Sequence, residues 1–165
     1  MQQNIKVGRN VKISQLADVY CCEIGDGTKI ESFVYVEGGA IIGSNCKIKA
    51  HAFIPEGIII EDCAFIGPHV VFTNDKYPRA VNPDGTKKGR NDWTLLQTRV
   101  RRGASVGAGA VILPGLELGE YSLVGAGSVV TKSVPPYKIV RGNPAKVVGS
   151  VSDEKELKAK ERKKL

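Results

Sequence analysis

The sequence predicts an all-β fold, a single-stranded parallel β-helix with an inserted loop and a short C-terminal α-helix. Two observations support this prediction: an aliphatic or aromatic residue recurs at every sixth position, and a second, mostly small or apolar residue follows it by four. A six-residue period matches neither an α-helix nor a β-strand. It is typical of coils that bury their inward residues only by stacking on one another. The periodic residues are Ile24, Ile30, Val36, Ile42, Ile48, Ile54, Ile60, Ile66 and Phe72, and then Val100, Val106, Ile112, Leu118, Val124 and Val130.

The N-terminal segment keeps this period with one irregularity. Val7, Ile13 and Val19 are spaced by six, but Ile24 follows Val19 by only five positions. We therefore expect an irregular corner at residues 21–23.

A glycine directly follows several periodic residues, and the prediction is that tight bends there need its permissive φ. These glycines are Gly25, Gly43, Gly67, Gly107, Gly119 and Gly125. A meander of hairpins is the alternative, because Asp-Gly turns occur at residues 26–27 and 84–85. The unbroken phase of the period favours the coil.

A segment rich in Asn, Asp, Pro, Gly and charge interrupts the period at about residues 73–98. A loop of this length in a compact domain is usually functional or mobile. Pro135 and Pro136 are expected to end regular coiling. Ser152 is suited to cap a charged helix. We expect a β-helix domain over residues 1–150 and a charged helix or tail over residues 151–165.

Charge and cysteine content limit the function classes. The chain has a net charge of +7, but the basic residues near its C-terminus have acids and no aromatics among them, which favours a solvated helix over nucleic-acid binding. Its cysteines form no C-x-x-C pair, so a zinc cage is poorly supported. The N-terminus is polar and no apolar run approaches membrane length, so we expect a cytoplasmic protein without membrane insertion.

Four segments resemble the hexapeptide-repeat acyltransferases of the left-handed β-helix type, and within them the N-acetyltransferases of nucleotide-linked amino sugars. The segments are residues 66–79, 102–115, 124–132 and 142–146. The repeat is common to the superfamily, whereas Phe-Thr-Asn-Asp-x-Tyr-Pro-Arg at residues 72–79 points to the nucleotide-sugar branch. The resemblance implies a left-handed coil, a homotrimer with three active sites and acetyl-CoA as co-substrate.

The resemblance also implies that acetyl-CoA lies along the C-terminal coils, with its thioester toward the long loop. Small residues there would let the pantetheine arm approach the backbone, and basic residues would bind the phosphates. The candidate cofactor-binding residues are Ala108, Gly109, Ala126, Gly127, Lys132, Arg141 and Lys146. Each type is also common at turns or surfaces, but their clustering favours ligand contact.

Residues 18 apart should stack on adjacent coils, if three hexads form one coil as in the family that the chain resembles. This rule places Phe33, His51 and His69 in one column, and Gly38, Glu56 and Asn74 in another. Neither histidine is at an inward position, so both should point outward or into a cleft between subunits. We predict catalytic roles for His51, Glu56 and Asn74, and acceptor binding by Phe33, His69, Asp75 and Arg79.

These residue types suit acetyl transfer to an amine, which needs an unprotonated nitrogen, a positioned thioester and a donor to the developing oxyanion. Asn74 or a backbone N–H is expected to orient the thioester. Glu56 or His51 is expected to bind the amine and accept its proton. Stacking of histidines on a solenoid surface, and a turn begun by Asn74 and Asp75, are the structural alternatives.

The predicted function is acetyl-CoA-dependent N-acetylation of a dTDP- or UDP-linked amino sugar, without a metal. A sugar O-acetyltransferase is the first alternative, although the segment after Asn74 lacks the histidine that those enzymes carry there. A γ-type carbonic anhydrase-like enzyme would need a third ligand beside the two histidines. A non-catalytic scaffold would be expected to lack both the insertion and the donor-site residues.

Overall fold

The computed structural model describes residues 2–151 and confirms the parallel β-helix. Short strands wind around one axis and form three sheets, in an architecture consistent with the left-handed coil that the resemblance implies. The predicted C-terminal helix lies, beyond Val151, outside the described residues.

Each sheet takes one strand from each successive coil. Sheet A contains β1 (Gln2–Gln3), β4 (Asp18–Tyr20), β7 (Tyr35–Val36), β10 (Phe53–Ile54), β13 (Val71–Phe72), β16 (Val111–Ile112) and β19 (Val129–Val130). Sheet B contains β2 (Lys6–Val7), β5 (Glu23–Ile24), β8 (Ile41–Ile42), β11 (Ile58–Ile60), β14 (Thr98–Val100) and β17 (Glu117–Leu118). Sheet C contains β3 (Lys12–Ile13), β6 (Lys29–Ile30), β9 (Lys47–Ile48), β12 (Phe65–Ile66), β15 (Ser105–Val106), β18 (Leu123–Val124), β20 (Lys138–Arg141) and β21 (Lys146–Ser150).

The core consists of the periodic residues, as predicted. Ile30, Ile48 and Ile66, which end three strands of sheet C, are at most 1% exposed. The second residue of each hexad is also buried, for example Cys46 and Ala52 at 1%. Apolar burial of this kind is the main stabilising term in folding, and here each coil obtains it from the coils above and below.

Register along the axis confirms both the coil length and the irregular corner. Phe53 pairs with Tyr35, an offset of 18 residues. Val19 pairs with Val36, an offset of only 17. The first coil is therefore one residue shorter, and Cys21 turns its corner with φ at 48°.

The inserted loop lies between β13 and β14. Ile59 on one side of it pairs with Arg99 on the other, an offset of 40 residues, which is 22 more than the regular 18. The sheets stay in register across the insertion, so the loop projects from the coil without disturbing it.

The predicted reason for glycine after the periodic residues is wrong. A Cβ on Gly67 would lie 2.7 Å from the backbone nitrogen of Ala108, and one on Gly107 would lie 2.5 Å from that of Ala126. Positive φ occurs two residues later instead, as at Gly109 with 66°. Glycine is needed at Gly67 and Gly107 because neighbouring coils approach too closely for a side chain.

Coiling ends later than the prolines predict. After Pro135 and Pro136, β20 still pairs in parallel with β18, and β21 then folds back on β20 in the antiparallel direction. The antiparallel pair closes the described end of the coil.

Two of the three corners carry the predicted site residues, and we name them by the sheets that they join. The C–A corner contains Phe33, His51, His69, Gly109 and Gly127, all with positive φ. The A–B corner contains Gly39, Gly57 and Gly115, also with positive φ, and the inserted loop.

Candidate functional site

An exposed column of rings runs along the C–A corner. The rings of Phe33 and His51 stack with their centroids 4.9 Å apart, and those of His51 and His69 with their centroids 4.5 Å apart. The three side chains are exposed. The predicted column and its outward direction are both confirmed.

The same column continues into the predicted donor site. Gly109 N–H donates to the carbonyl of Pro68, beside His69, and Gly127 N–H donates to that of Ala108, both at 2.8 Å. A Cβ on Gly109 or Gly127 would meet no atom within 4 Å. The column of side chains therefore ends at His69, and an exposed strip of small residues follows it: Ala108, Gly109, Ala126 and Gly127.

Two of the three basic candidates lie beside this strip. Arg141 and Lys146 are directly opposite each other in the β20–β21 pair, and a Cβ on Gly125 would come within 2.9 Å of Arg141 Cβ. Lys132, by contrast, follows β19 at the A–B corner. The structure thus separates Lys132 from the other cofactor-binding candidates.

Glu56 and Asn74 meet at the A–B corner, as their spacing predicts. The Asn74 amide nitrogen donates to the Glu56 backbone carbonyl at 3.2 Å, and Glu56 N–H donates to Glu37 Oε2 at 3.0 Å. A Cβ on Gly39 would lie 3.3 Å from Glu56 Cγ. Glu56 is half-buried, and these two hydrogen bonds hold its main chain in place.

Arg90, from the inserted loop, pairs with the Glu56 carboxylate. Its Nη2 donates to Glu56 Oε1 at 2.5 Å, and its Nη1 donates to Oε2. The hydrogen bonds from Arg90 lower the pKa of Glu56 below its usual value. The Arg90 guanidinium also lies 5.8 Å from the ring centroid of Trp93. The sequence alone singled out neither Arg90 nor Trp93 as a site residue.

The returning limb of the loop packs on the A–B glycines. A Cβ on Gly57 would lie 3.0 Å from Leu95 Cδ1, and one on Gly115 would lie 3.5 Å from Leu96 Cβ. Leu96 N–H donates to the Asn74 carbonyl at 3.0 Å. The absence of a side chain at Gly57 therefore makes room for Leu95, and Leu96 packs in ordinary contact beside Gly115.

The predicted catalytic residues fall into two groups within one chain. His51 lies at the C–A corner, whereas Glu56 and Asn74 lie at the A–B corner, across the width of sheet A. His51 and Glu56 are five positions apart and flank β10, which separates the two corners. His51 stacks on Phe33 and His69, whereas Glu56 contacts Asn74 and Arg90. One chain therefore holds the predicted catalytic residues in two separate clusters.

The remaining acceptor candidates are also divided between the corners. Phe33 and His69 belong to the ring column. Asp75 follows Asn74 at the start of the loop, where its Oδ1 accepts the Tyr77 N–H at 2.8 Å. Arg79 is exposed, and its Nη1 donates to the carbonyl of Pro78 at 3.2 Å.

Residues 2–151 contain neither a candidate metal centre nor a membrane-spanning helix. No three side chains of histidine, cysteine, aspartate or glutamate converge there in a way that could hold a metal ion. The same part of the chain contains no helix with the length and hydropathy needed to span a bilayer.

A family model described as bacterial transferase hexapeptide (six repeats) matches residues 21–56 and 39–74. This match covers the regular coils on the N-terminal side of the inserted loop.

Relatives of this chain include acetyltransferases for different acceptors. The dTDP-3-amino-3,6-dideoxy-alpha-D-galactopyranose 3-N-acetyltransferase of Aneurinibacillus thermoaerophilus is 53% identical over 33% of this chain and 29% of its own length. The galactoside O-acetyltransferase of Lactococcus lactis is 31% identical over 79% of this chain and 64% of its own length. The chain therefore spans less than two thirds of the length of either relative.

Among solved structures, a variant of an N-acyltransferase from Bacillus cereus has a similar fold. It was solved in complex with dTDP and coenzyme A, and it is 25% identical, with a TM-score of 0.76 over 97% of this chain and 92% of that one.

Proposed function

We propose an acetyl-CoA-dependent N-acetyltransferase function for this chain, which belongs to the hexapeptide-repeat transferase family. The acceptor is the amino group of a dTDP- or UDP-linked sugar. The observation that carries this proposal is the half-buried, ionised Glu56 beside Asn74 under the inserted loop. The similarity to a dTDP-amino-sugar N-acetyltransferase supports it. We propose the cytoplasm as the location, since it supplies acetyl-CoA.

The glycine strip of the C–A corner suits the donor. Gly109 and Gly127 leave the backbone open to a pantetheine arm, and Arg141 and Lys146 supply positive charge next to the strip. Like charges directly opposite each other on paired strands are unfavourable. An anion shared between Arg141 and Lys146, such as a phosphate of coenzyme A, would relieve that repulsion.

The A–B corner suits the acceptor amine. In the reaction, the amine nitrogen forms a bond to the thioester carbonyl carbon and the carbon–sulfur bond breaks. The proton that nitrogen loses finally converts the departing thiolate to a thiol. Because Arg90 lowers the pKa of Glu56, this carboxylate is a weak base, and we propose that it binds and orients the amine. The Asn74 amide would orient the thioester.

A homotrimer would unite the two corners. Within one chain, the donor strip and Glu56 lie on opposite edges of sheet A, so a complete site needs the C–A corner of one copy and the A–B corner of the next. In such an assembly the imidazoles of His51 and His69 would face the neighbouring copy's acceptor side, where His51 is the candidate base.

Mixed assemblies test this arrangement. Glu56→Gln removes the acceptor side, and Gly109→Phe blocks the donor strip at a backbone conformation (φ 66°) that Phe33 already adopts at 61°. Each variant alone is expected to be nearly inactive, but co-assembled chains should recover activity, because some sites would combine two intact corners. No recovery in verified mixed oligomers would mean that each chain builds its own site.

A substrate panel tests the function itself. Purified protein and acetyl-CoA are incubated with dTDP- and UDP-linked amino sugars, with the matching 3- and 4-hydroxy nucleotide sugars, and with free galactosides. We expect amide formation only with nucleotide-linked amines. Mass spectrometry detects the acetylated product, and release of the coenzyme A thiol measures the rate. Acetylation of hydroxyl groups alone would favour the O-acetyltransferase alternative, which the galactoside O-acetyltransferase similarity supports.

A further inference from the structure

We propose that the acceptor's nucleoside diphosphate binds in a cavity formed within the inserted loop, with its base beside Trp93 and Tyr77 and its diphosphate beside Lys76 and Lys88. This inference rests on the proposed function and adds the location of the nucleotide. The cavity has a volume of about 460 Å³, within the usual range for small-molecule sites.

The aromatic residues of the cavity are suited to a base. Trp93 is half-buried and Tyr77 is 71% exposed, and both line the cavity. Each ring already has a cation nearby, since Lys76 Nζ lies 5.4 Å from the Tyr77 centroid and Arg90 lies 5.8 Å from that of Trp93. Aromatic rings that line an open cavity are surfaces on which bases stack, and stacking tolerates any base.

Two ammonium groups of the cavity lining suit a diphosphate, and the two carboxylates of that lining, Asp75 and Asp92, each accept a backbone N–H of the loop. Lys76 and Lys88 supply the ammonium groups, and Lys88 is half-buried beside Asp92. Asp92 Oδ2 is occupied by the N–H of Gly89 at 2.7 Å, which holds the backbone next to Lys88 in place. Ammonium groups are effective point charges for phosphate oxygens.

Both limbs of the loop connect the cavity to Glu56. On the outgoing limb, Asp75 lines the cavity and follows Asn74, whose amide donates to the Glu56 carbonyl. On the returning limb, Trp93 contacts Arg90, which pairs with the Glu56 carboxylate. A ligand whose base occupies the cavity can therefore extend its sugar toward Glu56, as a nucleotide-linked amino sugar requires.

This location differs from the one that the sequence suggests. Phe33 is predicted to bind the acceptor, but its ring is stacked on His51 at the other corner. Arg79, also predicted to bind the acceptor, is exposed and donates a hydrogen bond to the Pro78 carbonyl. The two locations make opposite predictions for substitution of Phe33 and of Lys88.

Trp93 provides a direct test, because it is the single tryptophan of the 165-residue chain. Tryptophan fluorescence of the full chain is titrated with dTDP, UDP, GDP and ADP, and with inorganic pyrophosphate as the control for charge alone. We expect saturable quenching by at least one nucleoside diphosphate and none by pyrophosphate at the same concentration. Lys88→Ala should weaken binding about tenfold, whereas Lys87→Ala, a neighbour that does not line the cavity, should leave it unchanged.

Calorimetry with the same nucleotides completes the test. The proposal would be overturned if nucleotides bind without changing Trp93 fluorescence, and if Phe33→Leu weakens this binding while Lys88→Ala does not. Absence of any nucleotide binding would also overturn it. If folded Lys88→Ala acetylates nucleotide-linked amines with the same acceptor KM as the unsubstituted protein, the cavity is rejected as the nucleotide site and the proposed function stands. Specific quenching without any acetylation would reject the function and leave the binding site.

Discussion

Replacing Glu56 with glutamine should lower kcat for the amino-sugar acceptor by about 100-fold, with little change in coenzyme A affinity. The substitution keeps the shape of the side chain but removes its negative charge, so the amine loses the group that binds and orients it. Coenzyme A should be unaffected, because the donor strip lies at the C–A corner. Steady-state kinetics with both substrates varied, and calorimetry with coenzyme A, measure the two effects.

Glu120→Gln is the matched control, since Glu120 is exposed between β17 and β18, at the third corner. It should retain full activity. If Glu56→Gln retains a kcat near that of the unsubstituted protein while its melting temperature is unchanged, Glu56 has no role in the reaction. A loss of coenzyme A binding in Glu56→Gln would instead contradict the separation of donor and acceptor corners.

The coil could be predicted from the sequence because its signal is local and repeated. Each hexad places an apolar residue at the same inward position, so Ile48 or Ile66 is recognised as a core residue without knowledge of its neighbours in space. The constant coil length then converts sequence spacing into stacking, which is why the His51–His69 pair was predicted correctly. The same rule says little about distances around the coil. Residues five apart, such as His51 and Glu56, were grouped in one site although a strand of sheet A separates them.

The loop carries no period, and its contacts could not be predicted in the same way. The Arg90–Glu56 pair depends on how the returning limb packs, and Leu95 and Leu96 determine that packing through contact with Gly57 and Gly115. A signal was nevertheless present. Gly39, Gly57 and Gly115 form a column of glycines at the A–B corner, and missing side chains on a regular coil mark places where another segment or a ligand lies.

Replacing Arg90 with glutamine should move the acid limb of the kcat/KM profile to higher pH. Arg90 holds the pKa of Glu56 below its usual value, so in the unsubstituted protein Glu56 stays ionised as the pH falls through the ordinary carboxyl range. Without Arg90, partial burial raises that pKa again. Protonation, and with it loss of amine binding, would then begin at a higher pH. The profile is measured for both proteins with the nucleotide-linked amino sugar, at saturating acetyl-CoA.

The same pair also predicts a pH-dependent effect on stability, which separates charge from packing. A carboxyl whose pKa is lowered by folding stabilises the native state above its unfolded pKa, and this stabilisation is lost as the pH falls through the folded pKa. The melting temperature of Arg90→Gln should therefore be lower than that of the unsubstituted protein at neutral pH. The two melting temperatures should approach each other at strongly acidic pH. Arg9→Gln is the control, because it breaks an exposed Arg–Asp pair with Asp26 on the first coils and should leave the kinetic profile unchanged. An unshifted acid limb in active Arg90→Gln would show that Arg90 does not control the ionisation of Glu56, whereas a shift shared with Arg9→Gln would point to net charge rather than to this contact.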